Sequence, residues 1–269
     1  MGNSRLLAAA ATAALFAIPA AHAADLPPLP PVYQPAPMSG WYLRGFVGMT
    51  NQQVNNVGFS PNPFPNDNIT TQFATFDSSP LFGMGVGYQW NNWLRFDVTG
   101  EYRANSHFRS IQVDHSVTPV QFADEYNASK NEVLFLANAF IDLGTWWCVT
   151  PFIGAGIGGS YNTIQSFTDI GNSVGDGISS TTFADDHSKW SFAWALYAGL
   201  AYQVTPNFNV ELMYRYVNLG SAQTGPAHAF DNTPIPTNPF VFDTITSHDL
   251  MLGVRWMFDQ PPPPLMRKG

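Results

Sequence analysis

Between Trp93 and Arg103 the chain alternates residue by residue. Leu94, Phe96, Val98 and Tyr102 take even positions, while Arg95, Asp97, Thr99, Glu101 and Arg103 take odd ones. An extended strand there presents one apolar face and one charged face. Strand-like segments recur eight times: Gly40 to Met49, Leu81 to Trp90, Trp93 to Arg103, Glu132 to Leu143, Pro151 to Tyr161, Lys189 to Val204, Phe208 to Val217 and His248 to Phe258. Most have the length that a tilted strand needs to cross a bilayer. The connections alternate too. Asn91-Asn92, Thr145 to Thr150 and Thr205-Pro206-Asn207 are tight, whereas Thr50 to Pro80, Ala104 to Asn131, Asn162 to Ser188 and Asn218 to Ser247 are long. The pattern predicts an all-β chain, an eight-stranded antiparallel up-and-down transmembrane β-barrel with four long extracellular loops and short periplasmic turns.

Charge sorts with this division. The long connections hold eleven acidic residues against Arg109 and Lys130, while the strands hold six cations and six anions. Within each strand that has several charges, the charges share one parity, and the other parity is apolar, as in Phe82, Met84, Val86 and Tyr88. That places the charges in a lumen and the apolar face against lipid. A soluble, lipocalin-like barrel is the alternative, with the apolar faces turned inward. Glycines at 83, 85, 87, 154, 156 and 158 alternate with bulky inward residues such as Tyr42, Phe46, Phe140 and Tyr197, which predicts a filled interior. Arg44, Arg95, Asp97, Glu101, Arg103, Glu132, Asp142, Glu211, Arg215 and Arg255 are the candidates for an ion-pair network plugging it. A narrow porin-like channel is the competing reading. Trp41, Trp90, Trp93, Trp146, Trp147 and Trp256 all sit beside a short turn or a terminus, where indoles form a membrane-interface girdle.

The ends add export. Arg5, the apolar run Leu6 to Ile18, Pro19 and Ala21-His22-Ala23 read as a signal peptide over residues 1–23. A Pro-rich lead-in follows over 24–39, then the barrel over 40–258 and a Pro-rich tail over 259–269. Cys148 is the only cysteine, so no internal disulfide forms. With a net charge of −8, nucleic acid is not an expected partner. Gly154 to Gly159 matches G-x-G-x-x-G by spacing, but no nucleotide-binding helix follows. Ser247-His248-Asp249 holds triad residue types, yet a strand turns His248 away from the other two. No catalytic residue or metal site is assigned. His107, His115, His187 and His228 lie in the long connections, and capture of haem or a divalent metal there is a second functional reading.

Gly40-Trp41-Tyr42-Leu43-Arg44-Gly45, the Asp97 to Arg103 strand, Asp142-Leu143-Gly144-Thr145-Trp146-Trp147 and Tyr214-Arg215-Tyr216-Val217-Asn218-Leu219-Gly220 carry a family likeness. Through them the chain resembles the opacity-like outer-membrane β-barrel proteins of alphaproteobacteria. The resemblance spans Gly40 to Phe258 and implies an OmpA/OmpX-type barrel in the cell outer membrane. It also implies a role in envelope integrity or host contact, with haem binding described in some relatives. Expected partners are outer-membrane lipids, lipopolysaccharide, the barrel-assembly machinery and a host or surface ligand at the acidic loops. Phe258 is not terminal, which departs from the usual aromatic end of such barrels.

Overall fold

The computed structural model describes residues 39–60, 68–116, 122–173, 179–235 and 239–258. The expected signal peptide, the lead-in up to Met38 and the tail lie outside them. The described strands are β1 (Gly40–Phe59), β2 (Ile69–Phe76), β3 (Ser79–Gln89), β4 (Leu94–Asp114), β5 (Phe122–Asp142), β6 (Val149–Ser173), β7 (Ser179–Ala184), β8 (His187–Thr205), β9 (Phe208–Gln223), β10 (Ala227–Ala229), β11 (Pro234–Ile235) and β12 (Phe240–Met257). Antiparallel pairing runs β1–β3–β4–β5–β6–β8–β9–β12 and returns from β12 to β1, with Tyr42 opposite Met257 and Phe59 opposite Phe240. The ring closes, so these eight strands have no free edge over their paired lengths.

The outer wall is apolar. Met84, Val98, Phe192, Leu196, Leu250 and Leu252 are exposed, Met84 to 74% and Phe192 to 66%. So continuous an apolar surface belongs in lipid, which rules out the lipocalin-like arrangement. Trp41, Trp90, Trp93, Trp146, Trp147 and Trp256 are exposed at the short-turn end. At the other end Trp190 packs on Phe135 and Tyr161. From Tyr202 to Trp190 along β8, the usual rise and tilt of barrel strands give a height of roughly 30 Å, the thickness of a hydrocarbon core.

The strands do not stop at that height. β4, β5, β6 and β12 run on into the segments that the alternation assigned to loops, and β2 and β7 continue the wall past breaks at Asp77-Ser78 and Asp185-Asp186. These extensions are built on an aromatic core. Phe240 packs against Phe59, Tyr126, Phe167 and Phe242, and Phe108 against Phe76 and Phe242. The register reveals why simple alternation misses it. Pairing slips between Arg103 and Ser106, between Asn127 and Ser129, and between Phe242 and Ile245, and Ser166 and Thr244 take positive φ values of 52° and 53°. Each bulge shifts the inward parity by one: odd positions to Arg103 give way to Ser106, Phe108 and Ser110.

Small and large inward residues interlock. A Cβ on Gly83 would lie 2.5 Å from the Phe46 ring, so the aromatic fills what a side chain there would occupy.

Candidate functional site

The lumen holds two charged levels. At the short-turn level, Glu211 on β9 is the hub: Arg255 Nε lies 3.0 Å from it, Arg95 Nη1 3.3 Å and Arg44 Nε 3.5 Å. Arg44 also meets Asp97 at 3.0 Å, and Arg95 meets Asp142 at 3.1 Å. Asp97 accepts further hydrogen bonds from Tyr42 Oη (3.1 Å) and Asn138 Nδ2 (2.7 Å), and Tyr197 Oη donates to Asn138 Oδ1 at 2.9 Å. The Arg95 guanidinium lies over Phe140 and Phe152, 4.4 and 4.6 Å from the ring centroids, so its planar charge is covered by π faces.

The upper level is organised by bidentate forks. Arg215 grips Glu101 with Nη1 at 2.8 Å and Nη2 at 2.6 Å, and Arg103 grips Asp249 with Nη1 at 2.8 Å and Nη2 at 2.9 Å. Arg215 Nε reaches the same Asp249 at 2.9 Å. Glu132 pairs with both Arg103 and Lys130, and Lys130 Nζ donates to Gln52 Oε1 at 3.0 Å. The lower level has Arg44, Arg95 and Arg255 against Asp97, Asp142 and Glu211. The upper has Arg103, Lys130 and Arg215 against Glu101, Glu132 and Asp249. Each level is therefore neutral. Geometry of this kind sets an opposite charge beside every desolvated one, while some buried atoms, Arg95 Nη2 among them, make no hydrogen bond among the described residues.

The sequence candidates Arg44, Arg95, Asp97, Glu101, Arg103, Glu132, Asp142, Glu211, Arg215 and Arg255 all have buried side chains within these two levels. Asp249 and Lys130 were not among them. Lys130 counted as a loop cation, although its even parity with Glu132, Leu134 and Leu136 was a usable signal. The Ser-His-Asp run is split by the wall: Ser247 Oγ donates to Asp249 Oδ1 at 2.5 Å inside, while His248 Nδ1 and the Tyr214 hydroxyl are 2.6 Å apart outside. The four candidate histidines occupy separate elements. His107 is exposed on β4 beside Ser129, His115 follows β4, His187 opens β8, and His228 on β10 lies 3.3 Å from Asp185. Among the described residues no three His, Cys, Asp or Glu side chains converge as a metal site.

A third region was not anticipated. The outer mouth contains a cavity of about 550 Å³, whose polar lining includes Gln112, Asp124, Tyr126, Asp169, Ser180 and Thr182. Register explains the grouping. Gln112, Asp124, Gly171 and Ser180 stand in one row across β4, β5, β6 and β7, and Tyr126, Asp169 and Thr182 in the next. Burial, and then the neighbouring Asp124, push the Asp169 carboxyl up to about 7, and burial raises Asp124 as well. The sign for stability follows. The folded state holds the Asp169 proton more tightly than the unfolded chain, so this group's contribution is full below about pH 4 and is lost as pH rises through about 7. Asp169→Asn is therefore expected to flatten the fall in urea midpoint between pH 5 and pH 8, read by tryptophan fluorescence on refolded protein; an unchanged slope contradicts it.

The chain is similar to known proteins. Residues 8–258 match the outer membrane protein β-barrel domain. An uncharacterised protein of Brucella suis is 30% identical over 235 residues, covering 81% of each chain. The outer membrane protein PagN of Salmonella typhimurium is 27% identical over 227 residues, covering 81% of this chain and 90% of PagN. Among solved structures, Neisserial surface protein A aligns over 82% of this chain and 99% of its own, at 18% identity and a TM-score of 0.41.

Proposed function

Because the chain belongs to the outer membrane protein β-barrel family and resides in the outer membrane, we propose that it serves there as a closed, non-enzymatic barrel. In this reading it supports the envelope through its lipid-facing wall and meets surface ligands through its raised mouth. The observation that supports it most is the lumen: each of its twelve buried charged groups has an opposite charge within 4.0 Å. An ion crossing such an interior would have to displace matched partners at two successive levels, and aromatic packing above them narrows the path again. The exposed tryptophans at the short-turn end act as the periplasmic girdle, and the outer leaflet contact is with lipopolysaccharide. Purified protein in planar bilayers is expected to give no reproducible conductance steps. Regular steps that vanish on Glu211→Gln or Arg215→Gln would replace the plug with a narrow channel.

A further inference from the structure

We propose that the cavity at the outer mouth is a binding site for a small organic cation of the diamine class, held by Asp124 and Asp169. The proposal rests on the surface-facing reading of this end and is independent of whether the lumen below is plugged. Its lining is one-sided in charge. Among the described residues around the cavity there are two carboxylates and no Lys, Arg or His, and neither carboxylate has a cationic partner. Asp169 Oδ1 is buried without a hydrogen-bond partner among the described residues. Tyr126, only 3% exposed, lines the same space and stands opposite Asp169 across the β5–β6 pair. A buried polar group that stays unpaired is costly, so an unpaired carboxylate oxygen facing a cavity that holds a second carboxylate without a cation points to something that completes them. Gln112 adds an acceptor: its Nε2 donates to Val57 O at 3.2 Å and Thr71 Oγ1 at 3.3 Å, which leaves Oε1 for the cavity.

Size and donor chemistry select the ligand. A space of about 550 Å³ is far larger than a bare ion and falls in the range of small-molecule sites. Two carboxylates also fall short of the oxygen set that a hard divalent cation collects. The apolar part of the lining, Val57, Phe59 and Ile69, suits a hydrocarbon spacer. Asp124 and Asp169 are diagonal neighbours across the β5–β6 pair, a placement that separates backbones by about 7–8 Å. A short diamine bridges that span with one ammonium on each carboxylate. Gly171 keeps the arrangement open, since a Cβ there would stand 3.0 Å from Asp124 Oδ1 and 2.5 Å from Ser180 Oγ.

Isothermal titration of the full chain, refolded in detergent, with 1,4-diaminobutane tests the site. A saturable single-site heat is expected, weakened about tenfold or more by Asp124→Asn and by Asp169→Asn, in line with the loss of a charge-assisted contact. Glu125→Gln, on the same strand but facing outward, should leave binding unchanged. Butan-1-amine, with one ammonium, should bind about tenfold more weakly than the diamine to the parent protein, a comparison that needs no variant. Heat-modifiable gel migration reports whether each variant is folded. Absence of saturable diamine heat, equal affinity for the monoamine, equal loss in Glu125→Gln, or binding of calcium chloride at these carboxylates without diamine binding would each overturn the proposal. None of these readouts involves conductance, so failure here is distinguishable from failure of the plug.

Discussion

Glu211→Gln is expected to lower the stability of the folded barrel by about 3–5 kcal/mol, the range seen when one member of a buried ion pair is removed. The substitution preserves shape and changes only charge. Glu211 is fully buried and faces Arg44, Arg95 and Arg255 together; once it is neutral, Asp97 and Asp142 are the only anions left against three guanidinium groups at that level. Water could relieve the imbalance in an open pore, but Phe46, Tyr42, Phe140 and Phe152 occupy the surrounding lumen. The measurement is the urea midpoint of refolded protein, followed by loss of heat-modifiable migration. Glu211→Gln combined with Arg255→Gln restores neutrality and should recover a substantial part of the loss, a coupling that a double-mutant cycle isolates. Asp243→Asn, at an exposed position on β12, should change stability by less than about 0.5 kcal/mol. If Glu211→Gln proves as mild as Asp243→Asn, the lumen is hydrated and the plug reading falls.

The second large effect separates two adjacent residues. Phe96 lies on the outer wall between Tyr88 and Ala139, and Asp97 lies inside between Gly87 and Asn138. Phe96→Arg places a cation against hydrocarbon between the tryptophan girdle and the midplane, at a cost of about 1–3 kcal/mol, below the full midplane value, and it should lower insertion into lipid vesicles. Asp97→Asn should still insert. Its amide oxygen continues to accept from Asn138, and Arg44 retains Glu211, so the variant assembles with reduced stability. Insertion yields measured side by side settle the matter, and equal yields would undo the inside-outside assignment.

The contrast between these neighbours was already present in the amino-acid order, because a period of two needs no tertiary information. The same holds for the eight strand segments and the short turns, where Asn91 caps its own turn by accepting from the Trp93 and Leu94 amides. What alternation does not carry is a change of phase. After Arg103 the inward positions move to Ser106 and Phe108, and after Ile164 they move to Phe167 across the positive-φ Ser166. A reading that expects constant parity sees mixed residues there and assigns a loop. Asp169 falls among the loop acids for that reason, whereas Asp124 keeps the even inward parity of β5 and is hidden only by the extra length of its strand; both line the mouth cavity. Four of the six charges of the upper level, Glu101, Arg103, Glu132 and Arg215, stand in clean alternation, whereas Lys130 keeps that parity but sits just past the expected end of its strand. The scattered positions of the histidines, in turn, depend on how distant segments pair, which no local pattern encodes.

The continued strands set a distance as well as a fold. From Tyr161, beside Trp190 at the outer edge of the lipid-facing wall, β6 runs on to Asp169. At ordinary strand rise and tilt this is a climb of roughly 20 Å. Electrostatic screening at physiological ionic strength has a length of about 8 Å, so the phosphates of the lipid surface are largely silent at that height. The mouth is thus electrically private. What approaches from outside senses its carboxylates rather than the membrane's charge, and added salt acts on recognition there by screening those carboxylates directly, not by rearranging the lipid headgroups.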